Sequence, residues 1–298
     1  MSDFGAEHSF AQANQRLQIH YGFELGSTAM RETTLRHAGR ATRQLEASYK
    51  EPYRLLPQKG QDWVVAQMDG SMVCTVEAGR RRKAKRPRSW KEMRVAVARG
   101  QTSAQSHYAA SFGEVDVIGR RWAHCVKAAG WSLEGGVHVV ADGAEWIRRQ
   151  SRENFGTQEN FLVDYYHLSE YLAGASATCR PANPRQWLRT QQRRLKRGAT
   201  AKITQELAQH IEPQHIEEPE APVRAALRYM TNRTDALDYP DAIAKGLPIG
   251  SGMVESAHRH LIQARLKAPG ASWLAENAEV MAQLRVIKAN QQWANLWN

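Results

Sequence analysis

The sequence predicts an α/β fold that carries an N-terminal helical segment and a helical insertion. Two β-like runs, 63–68 and 72–76, come first, and strand and helix patterns then alternate as far as residue 163. Between residues 170 and 245 the strand signals stop, and prolines separate stretches rich in Arg, Gln, Ala and Leu. This order is typical of a sheet covered by helices, with an all-α elaboration added to it.

The first sixty residues form the predicted helical segment. Residues 9–17 and 28–45 are rich in good helix formers, and the break between them places Ser27 or Thr28 as a cap for the second helix. Two helices around a short turn fit a DNA-binding helix-turn-helix remnant or an ordinary helical hairpin, and the spacing leaves both open. We therefore divide the chain into a helical segment, 1–60, and an α/β domain, 61–298.

The α/β domain begins with a run that is apolar on both faces, as suits a central strand. An Asp-Gly-Ser turn at 69–71 is expected to separate this strand from the second run. The elements predicted after it are strands at 93–98, 137–141 and 160–163, helices at 115–129 and 144–154, and helical stretches from 250 to 267 and from 273 onwards.

Positive charge is concentrated in two segments. The formal net charge is +11, yet residues 80–94 carry +8 and residues 185–197 carry +6, so the remaining residues together carry −3. Clustered cations on a mildly acidic body predict a polyanion binder, and two solvated basic loops are the alternative. The residues expected to contact DNA are Arg80, Arg81, Arg82, Lys83, Lys85, Arg86, Arg88, Arg185, Arg189, Arg193, Arg194, Lys196 and Arg197. Trp187 could stack on an unpaired base, although packing is the more frequent role of such a residue.

Two Asp-Gly pairs, at Asp69 and Asp142, each follow a strand that reads as buried. Asp-Gly is also an ordinary turn signal, which is the alternative for either pair alone. If the two strands are neighbours, however, the carboxylates converge at one edge of the sheet. Hard carboxylate ligands with water in the remaining positions favour Mg²⁺ or Mn²⁺ over zinc.

Glu255 is the best candidate for a third acid. It lies on a predicted helix that Ser251 can cap, at the edge of an apolar stripe formed by Val254, Ala257, Leu261 and Ala264. His258 and Arg259 flank it, so a plain Glu255–Arg259 surface pair is the alternative. Three such carboxylates would suit phosphoryl transfer, in which two metal ions about 3.5–4 Å apart assist an in-line displacement.

A further cluster, at 164–167, combines Asp164 with His167. Asp164 reads either as the cap of a helix that starts after a strand or as a group close to the metal site or to DNA. A zinc site is a weaker interpretation, because no further ligands follow at suitable spacing.

Several motifs, in this order and spacing, make residues 62–298 resemble the catalytic part of bacterial insertion-sequence transposases of the DDE type. The similarity is greatest to the ISKra group, which is related to the Mutator-type superfamily. The motifs are MDG at 68–70, ADGAEWI at 141–147, DYYHL at 164–168, LPIGSGMVES at 247–256, QARLK at 263–267 and Trp273.

The resemblance implies an RNase H-like mixed sheet flanked by helices, with Asp69 on the first strand and Asp142 on the fourth. Glu255 would follow the helical insertion at about 170–245, and the three acids would hold two Mg²⁺ ions, for which Mn²⁺ can substitute. The implied activity is cleavage at transposon ends and strand transfer into double-stranded target DNA. Residues in supporting roles would be Asp164, His167, His258 and Arg259.

Two rival functions remain open at this point: a nuclease or resolvase that only hydrolyses DNA, and a catalytically idle, transposon-derived DNA-binding protein. Sixty-eight residues precede Asp69, fewer than is usual in the family, so end recognition would rest on the helices within 9–45. The three cysteines are far apart and residues 1–25 contain no apolar signal stretch. We therefore expect a cytoplasmic, nucleoid-associated homo-oligomer with no membrane partner.

Overall fold

The computed structural model describes residues 1–79 and 86–297, which form an α/β fold of two compact units. Unit 1 comprises Met1–Gly136 and Gly252–Asn298, and unit 2 comprises Val137–Ser251. The strands of unit 1 pair antiparallel and those of unit 2 pair parallel, so the fold is of mixed strand direction, as expected. The lysines and arginines within 80–85, which are predicted to contact DNA, lie outside the described residues.

The strands and helices follow one another along the chain in the predicted order, with some additions. The strands are β1 Trp63–Val76, β2 Arg88–Gly100, β3 Ser106–Ser111, β4 Gly136–Ala141 and β5 Glu159–Val163. The first helices are α1 Ser2–Glu7, α2 Phe10–Tyr21, α3 Ser27–Ser48, α4 Val115–Ala128, α5 Glu145–Phe155 and α6 Tyr165–Cys179. The others are α7 Pro184–Lys196, α8 Thr200–Ala208, α9 Pro222–Thr231, α10 Tyr239–Ala244, α11 Gly252–Ala257, α12 Ala264–Leu266 and α13 Ala275–Ala289. A π-helical turn, His258–Gln263, joins α11 to α12.

The predicted turn at 69–71 is wrong, because β1 is one continuous strand. β2 pairs with it along its whole length, and the register places Asp69 opposite Val95 and Gly70 opposite Arg94. The local turn preference of Asp-Gly is therefore overridden by a long antiparallel partner that supplies backbone hydrogen bonds on both sides of the pair. Asp69 lies within the first strand rather than at its end. The short strand β3, which the pattern did not reveal, extends this sheet on the other side of β2.

The N-terminal helices α2 and α3 confirm the two predicted ones, and α1 precedes them. Ser9 caps α2 in a capping box with Gln12. The predicted cap at Ser27 or Thr28 is wrong: α3 already begins at Ser27, and Gly26 occupies the N-cap position without a side-chain hydrogen bond. The chain leaves the break in an extended conformation at Gly26, so the helix starts earlier than the polar side chains suggest.

A hydrophobic core of unit 1 joins the N-terminal helices to the sheet and the C-terminal helix. It combines small residues of α3, such as Ala38 and Ala41, with Val95 of β2, Leu261 of the π turn and Leu284 of α13, all of them buried. Each large apolar side chain that leaves water contributes roughly 1.5–3 kcal/mol. The helical segment therefore shares its core with the sheet of unit 1.

The π turn shifts the predicted apolar stripe. Val254, Ala257 and Leu261 are buried as expected, but Ala264 is exposed, because a π turn adds a residue and rotates every later position. The buried Arg285 of α13 satisfies carbonyls that the wider turn leaves open, since its Nε donates to Leu261 O at 2.9 Å and to His260 O at 3.1 Å.

Unit 2 is built on the parallel pair β4–β5, with α5 as the connection between the two strands. Helices α6 to α10 follow, and the stretch 170–245, all of it described, contains no strand, which confirms its predicted helical character. No helix among the described residues of either unit is long and apolar enough to cross a membrane.

Candidate active site

Asp69 points from the middle of β1 towards a small open pocket. Its Oδ1 accepts a hydrogen bond from Gly70 N at 2.7 Å, and 47% of its side chain is exposed. The preceding residues, Gln67 and Met68, are buried. The strand thus fixes the backbone of Asp69 firmly while it leaves the carboxylate in contact with water.

The pocket beside Asp69 has a volume of about 310 Å³ and lies wholly within unit 1. Its lining comprises Asp69, Gly70, Ser71, Glu255, His258, Arg259 and Gln263. Glu255 is exposed, and among the described residues no ion pair joins it to Arg259, which was the alternative role for this acid. Asp69 and Glu255, nearly two hundred residues apart in sequence, therefore line the same pocket.

Helix α11 is held against β1 by a buried glutamine. The Oε1 atom of Gln67 accepts a hydrogen bond from the backbone N–H of Val254 at 2.9 Å. This N–H belongs to the first turn of the helix, where no backbone acceptor is available. Sequence reasoning missed Gln67, although a polar amide inside an otherwise apolar strand is a signal for such a role.

His258 lies behind the carboxylates and carries no charge at neutral pH. Its Nε2 atom is 3.5 Å from Oδ2 of Asp69, but the ring is buried. Burial, the largest cause, and the nearby Lys267 together lower the pKa of His258 to about 4, against an opposing contact with the backbone of Asp69. The pair is therefore a neutral imidazole beside a carboxylate, and the negative charge of the pocket comes from Asp69 and Glu255.

The donor set of this pocket suits a hard divalent cation. Mg²⁺ is commonly held by one or two carboxylates and completes its octahedron with water, and Asp69 and Glu255 offer carboxylate oxygens in a water-filled space. Within residues 1–79 and 86–297, no three or more His, Cys, Asp or Glu side chains lie close enough together to hold a metal ion. The three-carboxylate metal centre accordingly stays a prediction.

In unit 2, Asp142 follows β4 directly and forms a tight turn. Its Oδ1 atom accepts a hydrogen bond from Ala144 N at 2.9 Å, and Gly143 adopts a φ of +80°, which side-chain-bearing residues rarely adopt. Arg233 donates from Nε and Nη2 to Gly143 O at 3.1 and 3.0 Å. The Tyr229 hydroxyl donates to Asp142 O.

Tyr229 and Arg233 were not predicted as site residues. They lie in or after α9, within the helical insertion, and the Arg233 guanidinium stands 4.1 Å from the centroid of the Tyr229 ring. Burial raises the pKa of Tyr229, which keeps its hydroxyl protonated and able to donate. The two residues are four positions apart, and this spacing is too common in helical sequences to have predicted them as site residues.

Asp164 is buried and fully hydrogen bonded. Its Oδ1 accepts from the backbone N–H groups of Tyr166 at 2.6 Å and His167 at 3.1 Å, which confirms its role as a helix cap. Its Oδ2 accepts from Ser251 N at 2.7 Å and from the Ser251 hydroxyl. Asp164 thus joins the start of α6 to the last residue before α11. His167 is half-buried, with Nδ1 3.7 Å from Glu170.

The described basic residues that are predicted to contact DNA differ in their exposure and in their hydrogen bonds and ion pairs. Arg86 donates to Gly79 O at 2.7 Å, and Arg88 is exposed at the start of β2. On α7, Arg194 pairs with Glu206, which also accepts from Trp187 Nε1 at 2.6 Å. Trp187 is buried, so packing is its role, as the alternative reading held. The α7 cations that remain exposed are Arg185, Arg189, Arg193, Lys196 and, just beyond the helix, Arg197.

These features define an α/β protein whose first strand contributes a carboxylate to an open acidic pocket. The model of one protein family, described as Uncharacterised protein family (UPF0236), matches residues 126–295. Because the match spans more than half of the chain, the protein belongs to that family. The matched range includes Asp142, Asp164 and Glu255 and begins after Asp69. No curated protein matches the chain.

Proposed function

We propose that this protein is a DNA transposase of the DDE type, of the ISKra group, that cleaves transposon ends and joins them to target DNA. Asp69, Asp142 and Glu255 are the proposed ligands of two Mg²⁺ ions. Asp164 and His167, together with His258 and Arg259, are assigned supporting roles.

The observation that carries the proposal is the pocket of unit 1, which Asp69 and Glu255 line together. The two acids come from separate motifs, the MDG of β1 and the GSGMVES at the start of α11. Water reaches both, in contrast to the buried Asp164. Acids that are exposed and brought together in this way are more consistent with ligand binding than with a role in stability.

A second support is the position of Asp142. It follows the fourth strand of the chain, and the turn that carries it is clamped by Tyr229 and Arg233. Among the described residues no hydrogen bond reaches its Oδ2 atom, which leaves that oxygen available as a ligand. Positioning of the backbone with an available carboxylate oxygen is what a metal-binding Asp requires.

Each of these residues has a distinct role in the proposed reaction. The ions, when bound, would stabilise charge on the attacking and leaving oxygens of an in-line displacement. Asp69, Asp142 and Glu255 bind and neutralise the ions, and the neutral His258 packs behind Asp69 without competing as a cation. The exposed cations of α7 contact DNA phosphates without reading the sequence.

The test is a joining assay with purified protein, Mn²⁺, a supercoiled plasmid and a linear donor that carries the DNA flanking the coding sequence. Donor joined to plasmid, detected by sequencing the junctions, is the expected product. Asp69→Asn should abolish joining, whereas Asp62→Asn, an exposed acid just before the same strand, should leave it unchanged.

The rival functions give different products in the same assay. Plasmid nicking that depends on Asp69 but yields no junctions indicates a nuclease or resolvase. DNA binding with no metal-dependent cleavage, unaltered by Asp69→Asn, indicates an idle DNA-binding protein. Either result overturns the proposal.

A further inference from the structure

A second cavity, of about 500 Å³, lies within unit 1 among α2, α3, the end of β1 and the loop before α13. The described residues that line it include three arginines, Arg31, Arg86 and Arg265, and no Asp or Glu. Phe10 and Trp273 contribute most of its aromatic surface. A concave space with three cations, no acid and apolar walls is suited to an anion that carries an apolar body.

Arg265 is the least expected of these residues, because it is buried and incompletely paired. Only 5% of the residue is exposed, and its guanidinium lies 4.7 Å from the ring centroids of both Phe10 and Trp273. Its Nε donates to Gly5 O at 3.0 Å, while its Nη2 has no hydrogen-bond partner within residues 1–79 and 86–297. A buried guanidinium with an unsatisfied donor is costly unless an acceptor arrives.

The charged groups around Arg265 do not balance the positive charge of its guanidinium. Burial, the largest cause, and the neighbouring Arg285 together lower the pKa of Arg265 to about 10, and Glu7 opposes the shift. Arg265 therefore remains a cation at neutral pH in a place that disfavours one. An anionic ligand would relieve both the unpaired donor and the excess positive charge.

The wall of the cavity is preformed. Trp273 is held by its own Nε1, which donates to Leu266 O at 3.1 Å, and by its backbone N–H, which donates to Cys74 O at 3.1 Å. The loop that carries it is thus tied to β1 and to α12. A site whose wall is already ordered loses little entropy when a ligand binds.

We propose that this cavity binds a small phosphate monoester carried on a planar aromatic body, such as a nucleoside monophosphate. Arg31, Arg86 and the Nη2 group of Arg265 contact the phosphate, and Phe10 and Trp273 contact the ring. A dianionic phosphate matches several arginines better than a single carboxylate does. The phosphodiesters of duplex DNA are tracked by open surfaces rather than taken into a concave cavity. This inference is independent of the proposed transposase activity.

The test is calorimetric titration of the full chain with four probes: adenosine monophosphate, phenyl phosphate, adenosine and inorganic phosphate. Adenosine monophosphate should bind and raise the melting temperature. Arg31→Ala, at an exposed position of α3, should weaken its binding about tenfold, as expected for one charged hydrogen bond. Arg36→Ala, on the same helix and outside the cavity, should leave binding unchanged.

The probes and a blocking variant decide each outcome. Equal affinity for phenyl phosphate and adenosine monophosphate supports recognition of aromatic phosphates in general, and a preference for adenosine monophosphate supports a nucleotide. Ala271→Phe, which fills the cavity from the loop, should abolish binding while circular dichroism shows a folded chain. Absence of binding at millimolar concentrations, equal affinity for adenosine, or Arg31-dependent binding of a single-stranded oligonucleotide alone would overturn the inference.

Discussion

Asp69 and Glu255 of unit 1 and Asp164 of unit 2 have opposite surroundings. Asp69 and Glu255 line an open pocket, and nearly half of the Asp69 side chain is exposed. Asp164 is 3% exposed and accepts four hydrogen bonds, two on each oxygen. A carboxylate that is buried and satisfied by hydrogen bonds stabilises the fold, whereas one that faces water in a pocket can take a ligand.

Asp142 is intermediate between the exposed acids of the pocket and the buried, fully hydrogen-bonded Asp164. Its Oδ1 atom supports its own turn through Ala144 N, and Oδ2 has no hydrogen-bond partner among the described residues. The comparison therefore assigns Asp142 to the group with Asp69 and Glu255. Substitutions that change charge but not shape should separate the two groups by activity and by stability.

The largest effect is expected from Asp69→Asn and Glu255→Gln on metal-dependent DNA cleavage. Under the proposed function, loss of a ligand charge should lower the cleavage rate about 1,000-fold, equivalent to roughly 4 kcal/mol. Because both side chains are solvent-accessible, the free energy of unfolding should change by less than about 0.5 kcal/mol. Cleavage is measured on a supercoiled plasmid with Mn²⁺, and stability by urea denaturation of the same samples.

Two substitutions in unit 2 should differ from each other, one by its effect on stability and the other by its effect on cleavage. Asp164→Asn places an amide donor against the N–H or hydroxyl of Ser251, so two donors face each other, and we expect a loss of about 3 kcal/mol in unfolding free energy. Asp142→Asn keeps the acceptor for Ala144 N and should cost less than about 1 kcal/mol, while cleavage is lost. Equal destabilisation by the two substitutions in urea denaturation would contradict the comparison.

The class of fold was readable from the sequence because hydrophobic patterns in long elements are strong signals. The strands at 137–141 and 160–163, the helix at 115–129 and the helical stretch 170–245 are all confirmed. The short strand β3 was not predicted, since Ser and Ala dominate it and only pairing with β2 makes it a strand. The turn at 69–71 was wrong for the same reason, because β2 stabilises an extended backbone through it.

The candidate site was predictable in its acids and unpredictable in their supports. Carboxylates that follow predicted strands or flank helices form recognisable motifs, and two acids predicted in this way, Asp69 and Glu255, line one pocket, while the place of Asp142 in the site stays a prediction. Gln67 acts through a contact almost two hundred residues away, and Tyr229 through one of nearly ninety. Such long-range hydrogen bonds leave no local pattern, and neither does the π turn that moves Ala264 to the surface.

A smaller effect is expected from Tyr229→Phe, which tests whether the Asp142 turn needs its clamp. The substitution removes the hydroxyl that donates to Asp142 O and should lower the unfolding free energy by about 1 kcal/mol. Under the proposed function, cleavage should fall a few-fold, because the carboxylate is less well positioned. Tyr171→Phe is the control, since that ring stacks on Tyr229 at 4.3 Å and no described residue pairs with its hydroxyl. Equal effects of the two substitutions on cleavage would argue against the clamp.

The smallest effect concerns Glu7, a carboxylate satisfied by cations rather than by N–H groups. Burial alone would raise its pKa, but Arg285 at 3.1 Å and Lys288 at 2.9 Å outweigh burial and hold the pKa below its usual 4.5. Because the folded pKa is depressed, this stabilisation is complete above about pH 5 and is lost as the pH falls through the lowered pKa. Glu7→Gln should thus cost less than about 1 kcal/mol at pH 7, given the partial exposure of the pair, and less still at pH 3. A difference in unfolding free energy that stays constant between these pH values would show that Glu7, like Asp164, acts through its shape and hydrogen bonds and not through its charge.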